Sequence, residues 1–302
     1  MQRPLWLVLA PFMFLVLWSG GYVVAKIGLL YAPPITLLVM RYICVVAIMA
    51  VLFAILRPPL PATRADWGHL IVVGILIQTV YFGMTYLAFI NGIAAGTAAL
   101  LMSLQPILVA LIAPRWSGER IGWRQWGGLL LALSGAAIVI VSRLEIGPAP
   151  VLGFVLAILG LLGITGATLW EKRFGLSHHP VTANLIGFVA GLLALLPFLP
   201  MQPAMEVQWT WELALVMVYL VLGNSVVAIS LLLAMIRAGE VSRVSTLMFL
   251  VPPLAALFAW LTLGEDMPPA AWLGMGIAGL GVLIATRKAR SRPASHIQER
   301  GV

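Results

Sequence analysis

One stretch of this sequence occurs twice, and it decides the fold. Its two copies read LQPILVALIAPRWSGERIGWRQWGGLLLALSGAA at residues 104–137 and LVPPLAALFAWLTLGEDMPPAAWLGMGIAGLGVL at residues 250–283. A shift of 146 residues, without gaps, superimposes the copies, and 17 of the 51 residues from position 88 to 138 are then identical. The informative coincidences are Pro106 with Pro252, Gly118-Glu119 with Gly264-Glu265, Trp126 with Trp272, Gly128 with Gly274 and Gly135 with Gly281. A fixed shift of this kind indicates an internal duplication.

The composition is that of a membrane protein. Of 302 residues, 62% are hydrophobic and 9% are charged, and the mean hydropathy is +1.06. Soluble domains average about 25% charged residues. Ten apolar stretches are each long enough to cross a hydrocarbon layer of roughly 30 Å as a helix. We place these spans at residues 5–30, 34–56, 67–90, 96–114, 122–142, 151–170, 181–200, 211–236, 243–263 and 268–286.

The duplication divides these spans into two halves of five. The same shift sets Lys26 on Lys172 and Gln78 on Asn224. Because five is odd, the second half enters the membrane from the opposite side, as in transporters built from inverted repeats. We therefore expect an all-α polytopic membrane protein whose ten helices form two inverted five-helix repeats around a central cavity. Residues 1–146 form the first repeat, 147–288 the second, and 289–302 a basic, disordered tail.

The chain has a formal charge of +8, and its basic residues are unevenly distributed between the two predicted sides of the membrane. With the N-terminus in the cytoplasm, fifteen of the eighteen Lys and Arg residues fall on the cytoplasmic side. This positive-inside pattern places both termini in the cytoplasm. The basic tail anchors that topology and meets anionic lipid head groups. Nucleic acid is not an expected partner, because no folded basic domain with interleaved aromatic residues is present.

Several motifs together resemble a known family. They are LWSGGYVVAKIGL at residues 17–29, Arg41-Tyr42, and the two runs at residues 92–140 and 239–285. The chain resembles the EamA-type branch of the drug/metabolite transporter superfamily over roughly residues 5–287. The resemblance implies a bacterial inner-membrane exporter of small metabolites. Exporters of amino acids, aromatic ones among them, belong to this branch, but these motifs do not separate them from exporters of drugs or other metabolites.

Polar residues in the first span share one side of the helix. Ser19, Tyr22 and Lys26 are spaced i, i+3 and i+7, and such a stripe should face protein or water rather than lipid. Trp18 precedes it. We expect Trp18, Ser19 and Tyr22 to bind substrate. Alternatively, Tyr22 and Lys26 belong to the outer interface, where Lys26 can snorkel. Gly20 and Gly21 permit either close helix approach or a bend.

The third and eighth spans carry matching amides. Gln78, Tyr81 and Thr85 lie on one face of the third span, and Asn224, with Ser225 beside it, lies mid-span in the eighth. Amides at equivalent positions of inverted halves should approach each other, where they could hold a substrate's amino and carboxylate groups. Alternatively, they form an interhelical hydrogen bond that ties the halves together.

Arg41 is the most deeply placed formal charge, about two turns into the second span. Its forked donors suit a carboxylate. A clamp on backbone carbonyls or a contact with lipid phosphates remains an alternative. The second half has Gly187 at the matching position, so the two halves are not equivalent there. Gln105, beside Pro106, could bond carbonyls that the proline frees or contact substrate.

The loop carboxylates and the glycine-rich spans have structural interpretations. The inversion puts Glu119 inside and Glu265 outside, so they cannot share a site, and Glu119 caps a helix or pairs with neighbouring arginines. The fifth and tenth spans carry matching seams of small residues, which we expect to pack together or to form a homodimer contact. The seam residues are Gly128, Ala132, Gly135, Gly274, Ala278 and Gly281.

Missing groups narrow the mechanism. None of the ten Asp and Glu residues lies at a span centre, and the four His residues and Cys44 form no metal-ligand pattern. No phosphate-binding Gly-Lys loop is present. We expect no metal, no cofactor and no ATP hydrolysis, and downhill export or exchange of a small molecule by alternating access. An intramembrane enzyme acting on lipid is a distant alternative, because nucleophile–base pairs are missing.

Overall fold

The computed structural model is all-helical over the residues it describes, which are 5–105, 107–109, 111–112, 123–144, 151–174, 178–202, 206–229, 231, 250–265 and 267–286. Pro106, Glu119 and the tail at 289–302 lie outside these residues. The α-helices are α1 Leu5–Gly28, α2 Pro34–Leu56, α3 Arg64–Gly74, α4 Phe82–Ile90, α5 Ala95–Met102, α6 Trp123–Leu144, α7 Val151–Phe174, α8 Pro180–Leu195, α9 Trp211–Val218, α10 Val251–Leu263 and α11 Pro269–Thr286.

Three segments of other helical type extend these helices. A π-helix at Ile75–Tyr81 joins α3 to α4, and a second π-helix at Tyr219–Ala228 continues α9. A 3₁₀ helix at Leu196–Met201 follows α8. Among the described residues, six helical stretches are long and apolar enough to cross a membrane, and four shorter helices are apolar.

The starts and ends of the helices follow from local residues. Thr63 and Asp66 form a capping box at the start of α3, where each side chain accepts the other's backbone N–H at 3.1 Å. Pro33 precedes α2 and offers no side-chain cap, and the backbone amides of Ile35 and Thr36 instead donate to the Gln202 side chain at 3.1 and 3.3 Å. Because Gln202 follows the 3₁₀ helix, this cap ties α2 to the second half of the chain.

Helices of the first half pack mainly on helices of the second half. The packed pairs are α1 with α10, α2 with α8, α3 with α8, α4 with α7, α5 with α10, and α6 with α11. The largest buried cluster, which includes Tyr42, Tyr86 and Phe188, contains residues of both halves. The core therefore lies along the interface between the halves.

The helices α6 and α11 form the tightest of these pairs. A Cβ on Gly135 would lie 2.5 Å from the carbonyl oxygen of Gly274, and a Cβ on Gly281 would clash with the backbone of Ala132. Contacts that advance along α6 from Ala132 to Gly135 move backwards along α11, so the two helices are antiparallel. The small residues of the predicted seam thus form a contact between α6 and α11 of the same chain.

This seam gives a matched test of packing. Gly281→Val should lower the free energy of unfolding by about 1–3 kcal/mol, because the added side chain meets the Ala132 backbone. Gly279→Val on the same helix is the control, since a Cβ there has no neighbour within 4 Å. Thermal unfolding of the purified protein in detergent, followed by tryptophan fluorescence, compares the two. Equal melting temperatures would contradict the seam.

Candidate functional site

The two π-helices lie at matching positions of the two halves. Gln78 is in the first and Asn224 is in the second, and the shift of 146 residues relates them. A π-turn widens the helix and weakens the regular backbone ladder, and such turns are frequent at functional sites. Side-chain hydroxyls donate to backbone carbonyls of these π-helices. The Tyr42 hydroxyl donates to the carbonyl of Gln78 at 2.7 Å, and the Ser225 hydroxyl donates to the carbonyl of Leu220 at 2.8 Å.

Side chains of the second π-helix hold α1 by its backbone. The Tyr219 hydroxyl donates to the carbonyl of Leu17 at 3.1 Å, and the Asn224 amide donates to the same carbonyl at 3.3 Å. A Cβ on Gly20 would clash with the Tyr219 hydroxyl, and one on Gly21 would lie 2.5 Å from the Asn224 amide nitrogen. The two glycines therefore permit the close helix approach that the sequence predicts, within a helix that runs from Leu5 to Gly28.

Arg41 lies at the centre of the site and is only 2% exposed. Its Nη2 donates to Asn224 Oδ1 at 3.0 Å and to the Ser225 hydroxyl at 2.9 Å. Its Nε also reaches Ser225, at 3.2 Å, and its Nη1 donates to the Tyr86 hydroxyl at 3.2 Å. The Phe82 ring faces the guanidinium, with 4.7 Å between Cζ and the ring centroid. Side chains of the second π-helix and of α4 thus hold the guanidinium of Arg41, which belongs to α2.

The electrostatics of Arg41 are unusual for a buried cation. Each hydrogen-bond acceptor recorded for it among the described residues is a neutral hydroxyl or amide. Removing a guanidinium from water is costly unless an anion or several hydrogen bonds compensate. The neutral acceptors engage four of its N–H groups in the recorded bonds but leave its charge uncompensated. Such a group attracts an anion, and a carboxylate fits its forked donors in a bidentate geometry.

A cavity opens beside Arg41. Its lining consists of Trp18, Gly21, Tyr22, Ala25, Arg41, Tyr81, Phe82, Thr85, Tyr86, Phe89 and Asn224. Six of these eleven residues are aromatic, so the cavity offers flat apolar faces around one cation. The cavity volume is about 30 Å³, which is room for about two water molecules. A metabolite would enter this conformation only after side chains or helices move apart.

The nine predicted site residues separate into three groups. Six line the cavity: Trp18, Tyr22, Arg41, Tyr81, Thr85 and Asn224. Ser225 lies behind the cavity and bonds Arg41. Ser19 and Gln78 are buried outside the lining, and the Ser19 hydroxyl and the Gln78 Oε1 have no hydrogen-bond partner among the described residues. The Tyr22 and Tyr81 hydroxyls are 3.3 Å apart, so the polar faces of the first and third predicted spans do meet.

The two matching amides contact different helices. Asn224 packs on Gly21 of α1 and bonds Arg41, whereas a Cβ on Gly191 of α8 would clash with the Cβ of Gln78. Gln105 also points away from the cavity, because its Nε2 donates to the Thr168 hydroxyl of α7 at 2.6 Å.

Sequence reasoning missed several lining residues. Phe82 and Phe89 were not among the predicted site residues, although they lie three residues before and four residues after Thr85 and so share its helix face. That periodicity could have identified Phe82 and Phe89. Gly21 and Ala25 follow Trp18 at i+3 and i+7 and so share its helix face, and Asn224 of the second π-helix approaches Gly21 closely. No group of three or more His, Cys, Asp or Glu residues that could hold a metal occurs in the described part of the chain.

The chain is similar in sequence to known transporters. The model of the EamA-like transporter family matches twice, at residues 5–141 and 151–287. A probable amino-acid metabolite efflux pump of Escherichia coli K12 is 26% identical over 92% of this chain and 94% of its own length. A probable terminal-alkyne amino-acid exporter of Streptantibioticus cattleyicolor is 30% identical over 67% of this chain and 68% of its own.

A solved crystal structure shares the fold. It superimposes with a TM-score of 0.66 over 95% of this chain and 99% of the other, at 20% sequence identity. The helical fold, the apolar spans and the two family matches agree with one another. The chain belongs to the EamA-like transporter family and is a multi-pass membrane transporter.

Proposed function

We propose that this transporter exports amino acids across the bacterial inner membrane, and that Arg41 binds their carboxylate. The observation that carries the proposal is a buried arginine with neutral partners at the wall of an aromatic cavity. A carboxylate displaces Asn224 or Ser225 from the guanidinium and supplies the negative charge that they lack. The relatives' printed names, an amino-acid metabolite efflux pump and an amino-acid exporter, support this class of substrate.

The aromatic lining supports a preference for aromatic amino acids. Six aromatic side chains of the lining offer ring faces and edges: Trp18, Tyr22, Tyr81, Phe82, Tyr86 and Phe89. An aromatic side chain gains area burial and ring contacts in such a cavity. An exporter of other carboxylate-bearing metabolites or of drugs is the alternative, which absence of counterflow for every amino acid would favour.

Transport proceeds by alternating access between two inverted five-helix halves, residues 1–146 and 147–288. The two family matches, the antiparallel α6 and α11, and the packing of each half on the other support this architecture. The distribution of Lys and Arg along ten predicted spans supports a topology with both termini in the cytoplasm. A homodimer through α6 and α11 would use the faces opposite their shared seam.

Substrate competition tests carboxylate recognition. In proteoliposomes loaded with tryptophan, counterflow of radiolabelled tryptophan should be saturable and should be inhibited by phenylalanine and tyrosine. Tryptamine, which has the same ring and amine but no carboxylate, should inhibit at least thirtyfold more weakly, because it forgoes about 2 kcal/mol of charge-assisted bonding to Arg41. Equal inhibition by tryptamine would contradict the role of Arg41. Absence of counterflow for every amino acid would contradict the amino-acid assignment.

The variant Arg41→Met separates binding from structure. We expect it to reduce amino-acid counterflow more than tenfold while the melting temperature in detergent changes by only a few degrees. The variant removes the desolvation cost of the guanidinium, and Asn224 and Ser225 keep their bonds to the carbonyls of Leu17 and Leu220. Arg64→Met, at an exposed position of α3, is the control and should keep counterflow. A large drop in melting temperature with Arg41→Met would instead indicate a clamp that holds the helices together.

A further inference from the structure

An ion pair lies just beyond the lining of the cavity. Lys26, in the last turn of α1, donates through Nζ to Glu265 Oε1 and also to the carbonyl of Ile93, the latter at 2.9 Å. Both side chains are largely shielded, with 23% of Lys26 and 13% of Glu265 exposed. Desolvation on this scale strengthens the attraction between the two charges relative to a pair in open water.

Glu265 is held from a second direction. Its Oε2 accepts the backbone N–H of Ala95 at 3.1 Å, at the first residue of α5. The start of a helix carries a partial positive charge and free amides, which favour a carboxylate there. Gly264 ends α10 with φ of 62°, a left-handed conformation that glycine adopts without strain. That turn places Glu265 between Lys26 and α5.

The ion pair lies next to the cavity lining. Tyr22 and Ala25 line the cavity, and Lys26 is the next residue of α1, one turn beyond Tyr22. Phe89 lines the cavity as well, and the Lys26 Nζ is 6.0 Å from the centroid of its ring. The ion pair therefore lies beside this end of the cavity, which the predicted topology places on the periplasmic side.

The ion pair joins parts of the chain that must separate if this end opens. Lys26 and Glu265 are 239 positions apart in sequence, one in each half. We propose that the Lys26–Glu265 ion pair is the outer gate of the transport path, closed in this structure and broken in each cycle to open the cavity toward the periplasm. This inference rests on the proposed transport function, but it does not depend on which metabolite is carried.

Thiol accessibility tests the gate without any substrate. In a Cys44→Ala background, Ala25→Cys places one thiol in the cavity wall, just below Lys26. A membrane-impermeant thiol reagent is added to the outside of intact cells, and the rate of modification is measured. Glu265→Gln keeps an acceptor for Ala95 but removes the charge, so the rate should rise at least tenfold. Glu212→Gln removes a carboxylate on the same predicted side that is not part of this pair, and it should leave the rate within twofold of the parent.

A second pair of variants keeps the test decisive if Glu265→Gln folds poorly. Lys26→Met removes the partner charge and should also accelerate modification tenfold, whereas Lys26→Arg keeps the ion pair and should retain the slow rate. Rates within threefold of the parent in both neutralised variants would overturn the proposal. Acceleration seen only from the cytoplasmic side, in inverted vesicles, would overturn it as well. Because the reagent is not a substrate, failed amino-acid counterflow would count against the proposed function and leave this result unaffected.

Discussion

The charge of Arg41 constrains the rest of this structure. A guanidinium that is 2% exposed inside an apolar bundle is tolerated only if its donors are satisfied, and α4 and the π-helix after α9 supply the acceptors. Those acceptors come from both halves of the chain, so the hydrogen bonds of Arg41 join the halves beside the cavity. Since they are neutral, they stabilise the empty site without matching the charge, and a substrate carboxylate can replace them at little cost.

The helix geometry around Arg41 serves that arrangement. The π-helices widen one turn in each half, where Gln78 and Asn224 lie. Glycines at positions 20 and 21 let Tyr219 and Asn224 reach the backbone of α1, so the second half grips the first beside the cavity. The Lys26–Glu265 pair joins the halves again at one end. Together these contacts keep the site small and closed. Each contact consists of a few hydrogen bonds or one ion pair, which can break when the transporter changes conformation.

Much of this could be predicted from the sequence because membrane helices obey simple rules. The length of the apolar stretch predicted both ends of α2 to the residue. Helical spacing correctly predicted that Tyr22, Tyr81 and Thr85 face the same cavity. The depth of Arg41 in its span marked it as exceptional. Gln78 was harder, because the spacing rule assumes a regular helix and a π-turn rotates the residues that follow it. The partner of Lys26 could not be predicted, since nothing local connects positions 26 and 265, and a loop carboxylate has many alternative roles.

The central claim is that Arg41 exchanges neutral partners for a substrate carboxylate. A structure of the protein with a bound amino acid tests it most directly. The account predicts both carboxylate oxygens at about 2.7–2.9 Å from guanidinium nitrogens, with Asn224 or Ser225 released from Arg41 and the substrate side chain among the aromatic residues. A bound amino acid whose carboxylate lies elsewhere, with the Arg41 bonds to Asn224 and Ser225 intact, would contradict it.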